Sequence, residues 1–151
     1  MSAGFQLAQI NVARLNAPLD SPEVADFRNG IDVMNALAEG SPGFVWRGVG
    51  EGFDAEASDD PMLVNVSVWE SVEQLAAFAY RTDHRHFVRR GHEWFERPTE
   101  AWLTLWWIAA NEFPTLDEAF GRLNHLRRHG PTPHAFTFAE RFAAPALETV
   151  S

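Results

Sequence analysis

The sequence predicts an α+β domain built on an antiparallel sheet, and three observations predict it. Stretches 5–14 and 62–69 alternate apolar and polar side chains with the period of two that a strand imposes. Other segments repeat apolar residues at the helical period of three and four. Glycine- and proline-bearing turns, EGSPG and HGP among them, punctuate the boundaries. A chain of 151 residues suits one domain, 1–151, with a single core.

The elements follow in order. Residues 5–14 form a first strand with Ala8, Ile10 and Val12 on one side and Leu7, Gln9 and Asn11 on the other. NAPLDSPE is a loop. Ser21 caps a helix with Pro22 in its first turn. Val24, Phe27, Ile31, Met34 and Ala38 make that helix's buried stripe. A second strand covers 43–49, a polar loop follows, and a third strand covers 62–69. Ser71 and Gln74 form a capping box that opens a second helix. Thr82 and Asp83 cap a further turn or a separate helix reaching Phe95. Residues 101–109 are a Trp-rich fourth strand. Thr115 and Glu118 cap another helix, which Gly130 and Pro131 stop. Residues 135–142 are a last short strand or extended tail. The order opens as the split βαβ, or ferredoxin-like, arrangement.

Composition narrows the chemistry. The chain has no cysteine, which removes disulfides, thiol nucleophiles and thiolate metal sites. All twelve basic residues are Arg, so a Schiff-base lysine is excluded. A net charge of −9 opposes nucleic-acid binding. No apolar run approaches the roughly 20 residues of a membrane helix, and the first residues carry no secretory pattern, so no membrane partner and a cytoplasmic location are expected. There is no phosphate loop, dinucleotide glycine pattern or nucleophile elbow, and no organic cofactor is expected.

The two sheet faces differ in kind. One should hold Ile10, Val12, Val45, Val49, Val64, Val66, Val68, Leu103, Leu105 and Trp107, an aliphatic core for helices to cover. The other should hold Gln9, Asn11, Phe44, Trp46, Asn65, Ser67, Trp69, Trp102, Thr104 and Trp106. A dry core has little use for Asn, Gln and Ser, and a solvated face has little use for four Trp. Apolar walls with a few hydrogen-bonding groups suit a small-molecule cavity, and also a homodimer interface. The aromatic face has too few helices left to cover it within one chain, so a homodimer is expected. Trp106 and Asn11 are expected to share one cavity.

The stretch VNVSVWESVEQLAAF, after a strand–helix–strand beginning, resembles the antibiotic-biosynthesis-monooxygenase-like, dimeric α/β-barrel superfamily. LAQINVARLNAPLD, HRHFVRRGHEWFERP and FPTLDEAFGRLNHLRRHGPTPHAFTF resemble one bacterial family of unknown function within it. The resemblance implies a dimeric α/β barrel with an extra C-terminal helix and strand. It spans cofactor-free oxygenases, haem-degrading enzymes, isomerases and proteins with no known reaction. Against the haem-degrading members, Asn11 matches a first-strand Asn and His84 roughly matches a helix His, but Phe78 stands where they carry Trp.

The candidate catalytic residues are His84, which falls on the apolar arc of its helix, and Asn11. His84 would act as general base, with Asn11 steadying an oxyanion. Gln9, Trp46, Asn65, Trp69, Trp102 and Trp106 are the candidate substrate-binding residues. His125 and His129 have the i, i+4 spacing of a metal pair but lie opposite the helix's apolar face, and no metal site is expected. The expected function is oxygenation or cyclisation/isomerisation of an aromatic or polyketide-like substrate. The alternatives are a non-catalytic ligand-binding or structural homodimer, and a haem-binding protein with His84 as axial ligand.

Overall fold

Alternation places β1 at Phe5–Arg14, as the sequence predicts. The remaining elements are α1 (Ala25–Glu39), β2 (Phe44–Arg47), β3 (Met62–Trp69), α2 (Val72–Ala79), β4 (Leu103–Ala109) and α3 (Leu116–His129). The structure is a computed structural model, and it describes residues 4–17, 21–49, 62–79 and 94–145.

The caps are local and set the helix starts. Ser21 Oγ accepts from the Glu23 amide at 3.3 Å, and Pro22 opens a 3₁₀ turn that leads into α1. At α2 the Gln74 amide donates to Ser71 Oγ at 3.1 Å while the Ser71 hydroxyl donates to Gln74 Oε1 at 3.0 Å. At α3 the Glu118 amide donates to Thr115 Oγ1 at 3.1 Å. Gly130, at φ +75°, ends that helix with its amide bonded to Leu126 O at 2.8 Å.

The sheet is antiparallel throughout, with order β2-β3-β1-β4. That order is the ferredoxin-like arrangement: β1 and β3 lie side by side at the centre, and α3 is a C-terminal addition. The expected last strand or extended tail joins the sheet by one bridge. Phe136 and Leu105 exchange both backbone hydrogen bonds at 2.8 Å, and the Thr104 hydroxyl donates to Phe136 O at 3.1 Å.

Both sheet faces are covered. Ala8, Ile10, Val12, Val66, Val68, Trp106 and Ile108 pack under Ala119 and Leu123 of α3. The opposite face carries two separate apolar clusters. One joins Leu7, Trp69 and Leu105 to Val72 and Leu75 of α2 and to Phe136 of the C-terminal segment. The other joins Leu15 and Leu63 to Val24, Phe27, Ile31 and Trp94. Helix α1 contributes Phe27 and Ile31 to the second and Ala38 to the first, so it runs past the stretch of sheet between them.

Three assignments are corrected here. Trp106 pairs with Ala8 and Thr104 with Ile10, so Trp102, Thr104 and Trp106 share the aliphatic face and not that of Asn11. Leu103, Leu105 and Trp107 take the Asn11 face instead. The reason is that WLTLWW carries large apolar residues at both parities, with Thr104 its one polar member, because both sides of β4 are covered. Trp46 also changes face: the register shifts between Phe44 and Trp46, and this irregularity sets Trp46 opposite Val68 while Phe44 stays opposite Trp69. Finally, the face expected to lack helices is the one under α1 and α2, and α3 covers the other.

Candidate functional site

Between the two apolar clusters of the α1/α2 face lies a floor of uncharged polar side chains. It arises because Gln9 and Asn11 on β1 stand directly opposite Ser67 and Asn65 on β3. Side chains so paired lie about 5 Å apart at Cβ and reach one another. Gln9 Nε2 donates to Asn65 Oδ1 at 2.7 Å and to Ser67 Oγ at 2.8 Å. Asn11 Nδ2 donates to Gln9 Oε1 at 2.9 Å and to Asn65 Oδ1 at 3.3 Å. Trp69 Nε1 donates to Ser67 Oγ at 2.9 Å.

The array grades from dry to wet. Gln9 and Ser67 are buried, Asn11 is half-buried and Asn65 is exposed. Satisfied polar groups of this kind fix one another's rotamers, so the groups left over point in set directions. Asn65 Nδ2 and Asn11 Oδ1 have no partner among the described residues, and Ser67 Oγ, already accepting twice, still has a proton to give. The floor therefore offers two kinds of donor and one acceptor.

Its apolar end is built from rings. Trp69 is fully buried, meets Phe44 edge-on at 5.4 Å and stacks on Phe78 at 5.4 Å. On the β4 side Leu105 stands beside Gln9 and Leu103 beside Asn11. On the β2 side Arg47 stands opposite Ser67. The Arg47 Nε–H donates to Glu39 Oε2, at the end of α1, at 2.8 Å. Sequence reasoning missed Arg47 because only the β2 irregularity brings it to this face, and nothing in FVWR marks an irregularity.

Of the predicted site residues, the structure brings Gln9, Asn11, Asn65 and Trp69 together. It sets three apart. Trp106 is fully buried under α3, with the Arg122 guanidinium 5.8 Å from its ring. Trp46 stacks on Phe113 at 5.1 Å, and Trp102 is exposed on the aliphatic face. His84 lies outside the described residues, as does the rest of the 80–93 segment. On α3, His125 lies 4.5 Å, ring to ring, from both His129 and His134, yet among the described residues no group of three or more His, Asp or Glu is placed to hold a metal ion. No helix among them is long and apolar enough to cross a membrane.

Fold and site together define a ferredoxin-like α+β protein with a hydrogen-bonding floor of uncharged side chains on the α1/α2 face of its sheet. The chain matches the family model described as Domain of unknown function (DUF3291) over residues 6–151, and it belongs to that family. No curated protein matches it. Similar solved structures include SnoaB, a cofactor-independent oxygenase from Streptomyces nogalater, at 16% identity over 75% of this chain and 98% of that one, TM-score 0.48. Others are Rv0793 from Mycobacterium tuberculosis, at 16% over 73% and 99%, TM-score 0.49, and a dimeric ferredoxin-like protein of unknown function from Thermobifida fusca, at 14% over 72% and 94%, TM-score 0.43.

Proposed function

We propose that this protein is a small-molecule enzyme that seats a carbonyl-bearing aromatic or polyketide-like substrate on the polar floor and works without a tightly bound organic cofactor. The observation that carries the reading is the Gln9–Asn11–Asn65–Ser67 array itself, a hydrogen-bonded set occupying sheet positions where apolar residues would pack against the helices. Asn65 Nδ2–H and the Ser67 hydroxyl face a carbonyl oxygen and stabilise the negative charge that develops there when a neighbouring carbon or hydroxyl loses its proton. His84 is the proposed acceptor of that proton, with Asn11 among the groups that steady the oxyanion. The resulting enolate then adds to a second carbonyl of the same molecule, whose alkoxide takes the proton back from His84, or combines with dissolved dioxygen to a hydroperoxide, whose O–O bond breaks with loss of water to leave a new carbonyl. Phe44 and Leu103, both half-buried, supply the apolar wall, backed by buried Trp69 and Leu105.

The test is a panel of aryl ketones and β-dicarbonyl compounds, with binding read by intrinsic Trp fluorescence and turnover by product analysis. Asn65→Leu is expected to weaken ketone binding about tenfold, the value of one good hydrogen bond to a carbonyl oxygen, and to lower the melting temperature by a few degrees, because it strands one N–H of buried Gln9. His84→Ala is expected to lower turnover about 10²–10⁴-fold. A panel on which Asn65→Leu binds and turns over like the wild type would refute the reading.

A further inference from the structure

We propose that Arg47 is the charged member of this site, selecting a ligand whose floor-seated oxygen carries or develops negative charge, such as an enol, a phenol or a β-dicarbonyl. The inference rests on the reading of the polar floor and goes beyond it, because every other described floor group is uncharged.

The register of β2 carries the argument. Phe44 pairs with Trp69 and Arg47 with Ser67, so two residues three apart in sequence point to the same sheet face. Regular alternation forbids that, since three is odd. The irregularity between them therefore exchanges Trp46 for Arg47 on the floor side. Irregularities of this kind re-aim a side chain at the edge of a sheet. The side chain that arrives is not loose on the surface. It is about a fifth exposed, and Glu39 at the end of α1 holds it by Nε. Helix α1 itself passes over this face.

Chemistry follows from what Arg47 has left. The bond to Glu39 uses Nε, and no hydrogen bond of Nη1 or Nη2 is formed with the described residues. A guanidinium gripped at one edge presents its other N–H groups in a fixed fork, suited to an oxyanion. Ser67, directly across the strand pair, still has its hydroxyl proton to donate. One charged and one neutral donor then converge from neighbouring strands. Glu39 holds the arginine and also offsets part of its charge, so it moderates the preference for an anion.

4-Nitrophenol is the probe, because its ionisation is seen directly in the visible spectrum. Bound to the wild type, its pKa is expected to fall, with the anion binding about ten- to hundredfold tighter than the neutral phenol. Arg47→Gln is expected to abolish that preference while neutral phenol still binds. Arg47→Lys should restore part of it, and Glu39→Gln should increase it. Asn65→Leu should weaken both forms alike. Circular dichroism checks that each variant is folded. Equal binding of phenol and phenolate by the wild type, or an unchanged preference in Arg47→Gln, overturns the role of Arg47 alone. Failure of the wild type to bind either form overturns it together with the floor as a ligand site.

Discussion

Replacing the floor by hydrocarbon separates a site kept for a ligand from one kept for stability. Gln9→Leu removes three hydrogen bonds, to Asn65, Ser67 and Asn11. Two of the stranded partners are partly in water, since Asn65 is exposed and Asn11 half-buried. Ser67 keeps its bond from Trp69. The penalty for unsatisfied groups is thus at the low end of the usual range, about 1–2 kcal/mol, and a domain of this size loses about 3 °C of melting temperature per kcal/mol. The triple variant Gln9→Leu/Asn11→Val/Asn65→Val removes the stranded partners as well and leaves the Ser67–Trp69 bond untouched. Exchanging both partners of a buried pair for apolar groups is close to neutral, and Val favours strands. The triple variant is expected to melt at or above the wild type, and the single variant about 3–6 °C below it. Calorimetry on the three proteins decides. A triple variant less stable than Gln9→Leu would mean that the array is structural, and the functional reasoning would fall with it.

Gly43, at φ +86°, would push a Cβ into the Gln74 side chain, so Gly43→Ala is expected to destabilise by more than 1 kcal/mol; Gly121→Ala, with open space around it in α3, is expected to stabilise by about 0.5–1 kcal/mol in the same denaturant titration. His134 is held below the ordinary imidazole value of 6.5, first by burial and then by Arg122 and His125, with Glu118 acting the other way. Its Nδ1 lies 2.9 Å from the Arg122 guanidinium, and only the neutral ring accepts there. The C-terminal segment therefore keeps this stabilisation above pH 6.5 and loses it as the pH falls through the folded-state value. Exchange of the Phe136 amide should accelerate over that fall in wild type and not in His134→Gln. Trp102 and Met62, 47% and 37% exposed, sit on the α3-side face beyond that helix, and they are the expected self-association surface; sedimentation should give a dimer, and a wild-type monomer at micromolar concentration would refute it.

What was legible in the sequence had one polar and one apolar parity. In β1 and β3 a slip of one residue would turn Gln9, Asn11, Asn65 and Ser67 toward α3, so alternation determines both their ends and their faces. Helix starts were legible because Ser21, Ser71 and Thr115 bond to amides two or three residues ahead. Arg47 and the true place of Trp46 were not, because the β2 irregularity leaves no compositional mark. Trp106 was misplaced because Trp106 and Trp107 are both apolar, and alternation says nothing where both parities are covered. The proposed base, His84, lies outside the described residues, so its geometry adds nothing to the sequence reading.

That double covering of β4 bears on how the chain is made. Neither offset of β4 exposes hydrocarbon, so burial alone does not choose between them. The choice falls to directional contacts, the Leu105–Phe136 bridge and the Thr104 hydroxyl on Phe136 O. Phe136 leaves the ribosome some thirty residues after β4 does, so the contacts that choose the alignment arrive after the strand they act on. The C-terminal segment acts as the proofreader of the strand it follows, and chains truncated before Phe136 are expected to populate both.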